Sequence, residues 1–229
     1  MASAPAIELD GLSRLYGERR ALDGITLDVA AGATLVVFGP NGAGKSTLLR
    51  VLATLLRPSA GTASILGEAL PARSWAVRGR VGLLTHAPLL YGDLSARDNL
   101  RLHARLHGIA LSRVDELLAQ VRLQRRADEP VHTYSRGMLQ RTAACRAVLH
   151  DPPVLLLDEP RANLDPGATE LLEPLIGAAS GRTRVLTSHD PAAGLAEADL
   201  VLGLRDGRQA FLGTPAEIDL PTVAALYGP

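Results

Sequence analysis

Near the start of the chain apolar and polar positions alternate. AIELDGL and ITLDVA each carry an apolar side chain on nearly every second residue. Successive side chains of a strand point to opposite faces, so this pattern predicts two half-exposed strands of an antiparallel layer. TLVVFG drops the alternation and is apolar almost throughout, as expected of a strand covered on both faces. It runs into GKSTLLRVLATLL, predicted as a helix, which RPSAG stops with Pro and Gly. TASILG and VGLLTH return as strands.

From Ser95 the period changes. SARDNLRLHARLHG has a candidate N-cap at Ser95, with Asp98 three residues on, and Gly108 as its stop. SRVDELLAQVRL and RGMLQRTAACRAVLH read as two further helices. Strand and helix then alternate again through VLLLDEP, ATELLEPLIGAA, TRVLTSHD and LVLGLRDGRQAFLG. The pattern predicts an α/β fold: a mainly parallel core, an N-terminal antiparallel β layer, and a helical subdomain inserted at about 90–150. The whole of 1–229 is expected to form a single domain, with its core in 1–89 and 151–229. Ligands on such cores sit beyond the carboxyl ends of the strands.

Composition narrows the function. Of 229 residues, 47% are apolar and only 3% aromatic, which suits an aliphatic core. The formal net charge is zero, whereas a nucleic-acid footprint needs a basic excess or stripe, so no nucleic-acid partner is expected. The single cysteine, Cys145, has no partner for an internal disulfide, which fits a reducing, cytoplasmic setting and a buried thiol. No apolar run approaches the roughly 18 residues of a membrane span. MASAPAIELD lacks the basic start and apolar stretch of a signal peptide. Any action at a membrane would need the span from another chain.

One position breaks the usage of basic residues. The chain has 24 Lys and Arg, and only Lys45 is a lysine. It lies in GPNGAGKST, which fits G-x-x-x-x-G-K-[ST] with a predicted strand before and a helix after, the phosphate-binding loop of a P-loop NTPase core. Glycines 39, 42 and 44 let the backbone turn its N–H groups into one concavity, and the helix start adds positive potential. Gly39, Pro40, Asn41, Gly42, Ala43, Gly44, Lys45, Ser46 and Thr47 are therefore the candidate ATP-binding residues. Lys45 is placed at the β- and γ-phosphates, and Ser46 on Mg²⁺. An ammonium is a compact point charge that fits inside a backbone ring, while a guanidinium is a wider planar fork. A GTPase is excluded, because its guanine-reading N-K-x-D needs a second lysine.

VLLLDE supplies two carboxylates at the carboxyl edge of a buried strand. Because neighbouring side chains point opposite ways, Asp158 is assigned to Mg²⁺ through water and Glu159 to polarising the attacking water.

YSRGMLQR, just upstream, resembles the signature of ABC-transporter ATPases, usually LSGGQ followed by a helix. The rest of that family's set is matched in order. Tyr16 in SRLYG resembles the aromatic that stacks on adenine, and His86 in VGLLTHAPLLY stands where the family usually has the Q-loop glutamine. RANLDP resembles the D-loop with Asp165, and His189 in VLTSHD resembles the switch histidine. The resemblance implies ATP and Mg²⁺ as cofactors, catalysis by Glu159, His189 and Lys45, a transmembrane permease partner, and a location on the cytoplasmic face of the cell membrane. It also implies a head-to-tail homodimer in which Ser135, Arg136, Gly137 and Met138 act on the partner's ATP. The helix after the signature, about 13 residues and roughly 20 Å long, hinders Ser135 from returning to its own Lys45.

Two residues depart from the family pattern: His86, a titratable ring in place of an amide, and Arg136, a cation in place of the first signature glycine. His86 followed by LLYGDLSARDNLRLHARLHG, together with the SRGMLQR signature, resembles the haem-exporter ATPase subunits of cytochrome c maturation. A drug, lipid or polysaccharide exporter of the same family is the alternative. A non-transport ATPase of this fold, or a module that dimerises on ATP without hydrolysis, are further classes; intact Glu159 and His189 argue against the last. His103 and His107, four apart, are expected on a solvated helix face rather than at a metal, as no third ligand adjoins them.

Overall fold

The computed structural model describes residues 4–162 and 164–228, so Asn163 of the RANLDP stretch lies outside them. The N-terminal alternation folds as a long hairpin, β1 (Pro5–Tyr16) and β2 (Arg19–Ala30), with Tyr16 paired to Arg19 across a two-residue turn. Both strands outrun the predicted segments. Register shifts between Leu9 and Leu15 absorb the glycines that interrupt the alternation. β4 (Ala60–Ile65) and β5 (Glu68–Leu70) complete an antiparallel sheet of order β2-β1-β4-β5.

The second sheet has order β10-β9-β3-β8-β7-β6. It is built from β3 (Thr34–Phe38), β6 (Val81–Leu84), β7 (Val154–Asp158), β8 (Thr183–Thr187) and β9 (Leu200–Arg205), all parallel. β10 (Arg208–Gly213) turns back antiparallel on β9. The α/β prediction, a mainly parallel sheet with an antiparallel layer, matches this architecture.

Strand pleating splits the core in two. Leu35 and Val37 of β3, with Val154 and Leu156 of β7, face a cluster shared with the antiparallel sheet and α1 (Lys45–Leu52). Val36, Phe38, Leu155 and Leu157 face the opposite cluster. That second cluster also holds Leu100 and Ala104 of α3 (Ala96–His107), Leu117 and Leu118 of α4 (Ser112–Gln120), and Ala144 and Val148 of α5 (Arg136–Val148). The helices between β6 and β7 in the chain are thus packed onto the same apolar face as the sheet. Ser95 caps α3, its Oγ accepting from the Asp98 N–H at 3.0 Å, and Gly108 ends it at φ 68°. α1 is shorter than predicted, because Thr54 takes φ 60° and the next N–H groups fold back on Arg50 O. The short α2 (Ser74–Arg78) had no sequence signal. α6 (Pro166–Ile176), α7 (Pro191–Glu197) and α8 (Leu220–Ala225) follow, each capped by an aspartate: Asp165, Asp190 and Asp219.

Cys145 is fully buried on α5, and burial pushes its thiol up to about 12, so it behaves as an unreactive apolar group. The histidine pair of α3 is not simply solvated. His103 is half-buried, and His107 stacks on His150, just beyond α5, with ring centroids 4.2 Å apart. The rings lie face to face rather than converging their nitrogens on one point, which is not metal-ligand geometry. Burial, reinforced by the Arg146 guanidinium and His107, holds His103 at about 4. Burial and His107 hold His150 at about 4 as well, although its Nε2 lies 3.2 Å from Val81 O. Unfolded histidine titrates near ~6.5, so between there and pH 4 the unfolded chain binds more protons than the folded one. Stability is complete above that window and falls as pH drops through it. Melting temperatures followed from pH 8 to pH 4 should decline below about pH 6.5, and less steeply in His150→Gln.

Candidate functional site

β3 delivers the chain to Gly39 at its carboxyl edge, and the following loop is shaped by positions that admit no side chain. Gly39 has φ 148°, and a Cβ there would lie 2.3 Å from Leu204 O. Gly44 has φ 110°, and its Cβ would lie 2.5 Å from Ala21 O. These two close approaches press the loop between the end of β9 and the start of β2. The loop backbone is then left with donors to spare. Among the described residues, the N–H groups of Gly42, Gly44, Lys45, Ser46 and Thr47 have no acceptor. α1 has no side-chain cap, whereas Ser95 and Ser135 cap α3 and α5.

Lys45, only 7% exposed, curls into this ring and donates through Nζ to Gly39 O at 2.5 Å and Pro40 O at 3.1 Å. Burial lowers its pKa below the usual lysine range, while Glu159 and Asp158 pull the other way. A ring of free N–H groups around one ammonium at a helix start fits a polyphosphate. Asn41 to Thr47 line this cavity with Tyr16, Glu159 and two arginines absent from the sequence-based set, Arg19 and Arg50. Tyr16 is 43% exposed, and the Arg14 guanidinium lies 4.8 Å over its ring.

β7 brings the carboxylates to the same edge. Asp158 Oδ2 accepts from Ser46 Oγ at 3.0 Å, and Oδ1 accepts from Thr187 Oγ1 at 2.8 Å. A hydroxyl and a carboxylate side by side, both oxygen donors, suit a hard cation such as Mg²⁺. Glu159 follows in the left-handed region, φ 51°, a costly conformation for a residue with a Cβ. Its Oε1 lies 2.5 Å from His189 Nε2. Glu159 borders three adjoining cavities: the loop cavity, one lined by His86, Arg136, Gln140 and Asp158, and one lined by Arg161, His189 and Glu197.

The expected signature and D-loop residues stand apart from the loop. Ser135 caps α5, its Oγ accepting from the Met138 N–H at 3.3 Å, and Asp165 caps α6, accepting from the Ala168 N–H at 2.8 Å. Ser135, Gly137, Met138 and Asp165 line none of the three cavities around Glu159; of the signature residues only Arg136 does, beside His86. Three contributors had escaped the sequence reading. Thr187 bonds both carboxylate residues, and Gln140 Nε2 donates to Pro160 O at 3.3 Å. Asn99 holds the segment after His86, accepting from the Tyr91 N–H and donating to Tyr91 O. A buried polar residue on an apolar face was the available signal for Thr187 and Asn99.

Residues 22–162 match the sequence profile of the family described as ABC transporter. The chain is 33% identical to Nod factor export ATP-binding protein I of Ralstonia nicotianae, an alignment covering 100% of this chain and 78% of that protein. It is 43% identical to the daunorubicin resistance ATP-binding protein DrrA3 of Streptomyces coeruleorubidus, over 79% of this chain but only 59% of the relative. The fold is similar to that of a dimeric bacterial ABC transporter cassette, with TM-score 0.82, 25% identity, and 91% and 98% of the two chains covered. Neither named relative is described as a haem exporter, so the narrower resemblance to the haem-exporter subunits gains nothing from them. A profile spanning most of the chain, and a relative aligned over all of it, show that this protein belongs to the ABC transporter family, as one of its ATP-hydrolysing cassettes.

Proposed function

We infer that this chain is the ATP-hydrolysing subunit of an exporter whose membrane-spanning permease is a separate chain. It works as one domain, with its core in 1–89 and 151–229 and the helical part at about 90–150. The observation that carries this reading is the meeting of the N–H ring around Lys45 with Ser46–Asp158 on one side and Glu159–His189 on the other. Lys45 and the loop N–H groups hold the β- and γ-phosphates, and Tyr16 offers its exposed ring to the base. Ser46 and Asp158 would hold Mg²⁺, which when bound would supply positive charge to offset that of the phosphates. Glu159 accepts a proton from the attacking water as its oxygen bonds to the γ-phosphorus. The bond to the bridging oxygen breaks, giving ADP and phosphate, and His189 holds the Glu159 carboxylate in place.

A second copy completes the site. The N-terminus of α5 at Ser135, Arg136, Gly137 and Met138 lies away from the chain's own loop cavity, and a partner's α5 would cover the γ-phosphate instead. Asp165 stands at the head of α6, where it would meet that partner. The similar cassette described as dimeric supports this arrangement. No helix among the described residues is long and apolar enough to cross a membrane; membership of the transporter family is what supports a peripheral place on the cytoplasmic face, held there by the permease.

The cargo reading follows the named relatives, one a Nod factor export protein and the other a daunorubicin resistance protein: an exported substrate of the Nod factor or drug kind. Haem export is the second reading, and it rests on His86, the LLYGDLSARDNLRLHARLHG stretch after it and the SRGMLQR variant. Mg-ATPase activity measured across a dilution series should rise faster than linearly with protein concentration. Strictly linear activity down to concentrations where the protein sediments as a monomer would defeat the two-copy site. Co-purification with the permease, followed by stimulation of hydrolysis by haem or by an amphiphilic drug, separates the two cargo classes.

A further inference from the structure

β8 is apolar through Val185 and Leu186 and then ends in Thr187, a hydroxyl only 1% exposed. A buried hydroxyl needs partners, and this one has two of functional weight. Its proton goes to Asp158 Oδ1 at 2.8 Å, and its lone pair receives the Glu159 N–H at 2.9 Å. The direction is fixed, since an ionised carboxylate only accepts and an N–H only donates. Thr187 thus grips the carboxyl end of β7 from the neighbouring strand, at the residue where the backbone enters its left-handed turn. Two residues on, His189 Nε2 reaches the Glu159 carboxylate. One short segment therefore holds Glu159 at both its backbone and its side-chain end. With Oδ1 engaged by Thr187, Asp158 turns its other oxygen to Ser46.

We propose that Thr187 is a positioning residue for hydrolysis, whose hydroxyl locks the Asp158–Glu159 turn so that one carboxylate faces the cation site and the other the attacking water. This deepens the assignment of Glu159 as the base and rests on it. Thr187 is buried and lines none of the three cavities around Glu159, so it acts through geometry, and displacing a reacting group by an ångström lowers rates by up to about 10²-fold.

Thr187→Val keeps the shape of the side chain and removes both bonds; Thr187→Ser keeps the hydroxyl. In the full chain, T187V should lose on the order of 10- to 10²-fold in kcat. Its KM, and its affinity for a fluorescent ATP analogue measured without Mg²⁺, should stay within about threefold, and its melting curve should remain cooperative. T187S should recover to within about threefold of the parent kcat. Equal kcat in T187V and the parent overturns the proposal. So does a parallel loss of kcat and nucleotide affinity that T187S does not reverse, which marks a purely structural role. If T187V does not fold, Thr187→Ala takes its place, and loss of the cooperative transition in both also overturns it. Glu159→Gln, measured alongside, separates the two levels: full activity there removes the base assignment itself, while an inactive E159Q beside a fully active T187V removes only the role of Thr187.

Discussion

Glu159→Gln should bind ATP with near-parental affinity and hydrolyse it about 10²- to 10⁴-fold more slowly, the usual consequence of losing a general base. The amide has the carboxylate's shape but cannot take a proton from water. The proposed phosphate-binding groups keep their own partners, because Lys45 is held by Gly39 O and Pro40 O, and the free N–H groups belong to the loop backbone. The unusual backbone at position 159 also survives the substitution, since its N–H is fixed by Thr187. A neutral hydrogen bond from the amide to His189 can replace the present contact, keeping the two strand ends together. Equilibrium titration with a fluorescent nucleotide and single-turnover phosphate release would be measured on the same preparation. Parental turnover in E159Q would move the base to another group, with Asp158 next in line; lost binding would mean that the carboxylate shapes the pocket rather than serving the chemistry.

How much of this was legible beforehand follows from the range of each signal. β3, the loop and α1 carry their pattern within one unbroken stretch, 34–52, and both glycines that the tight approaches demand, Gly39 and Gly44, stand in the motif itself. The caps at Ser95 and Gly108 are equally local. β5, α2 and α7, of three, five and seven residues, are too short to show a period, and their place is set by what packs on them. The hidden part of the site is long-range by nature. Thr187 meets Asp158 across 29 residues of chain, and His107 stacks on a ring beyond the end of another helix. Read singly, each is an ordinary polar residue. The expectation of a solvated face holds for His107, which is exposed, but gave way for His103: amphipathic spacing fixes which face a residue occupies, but only the neighbouring α5 decides how far that face meets water.

Glu197→Ala should be the most damaging substitution outside the nucleotide site, lowering stability by about 3–5 kcal/mol. Glu197, the last residue of α7, accepts from two arginines of unequal need. Arg184, on the central strand β8, is 1% exposed, and its remaining donors are spent on Thr34 Oγ1 and Ile176 O. Arg161, directly after Pro160 in the turn that carries Glu159, bonds Glu197 through two nitrogens, at 2.5 and 3.2 Å, and also reaches Glu173. Arg161 keeps Glu173 when Glu197 is removed, and water can reach it; Arg184 is left as a buried charge with no counter-ion. The penalty therefore arises at β8 rather than at the surface. For a chain of this size the melting temperature should drop by on the order of 10 °C. Asp151→Ala supplies the contrast: it breaks the 2.5 Å pair with Arg182, but Asp151 is 79% exposed, so a loss of at most about 1 kcal/mol is expected. Urea unfolding of both variants decides the matter. Similar small losses would show that Arg184 is satisfied by its neutral partners alone. A large loss confined to E197A, with weakened turnover under conditions where it remains folded, would show that the ion pair anchoring the Glu159 turn is the same one that holds β8 to α7.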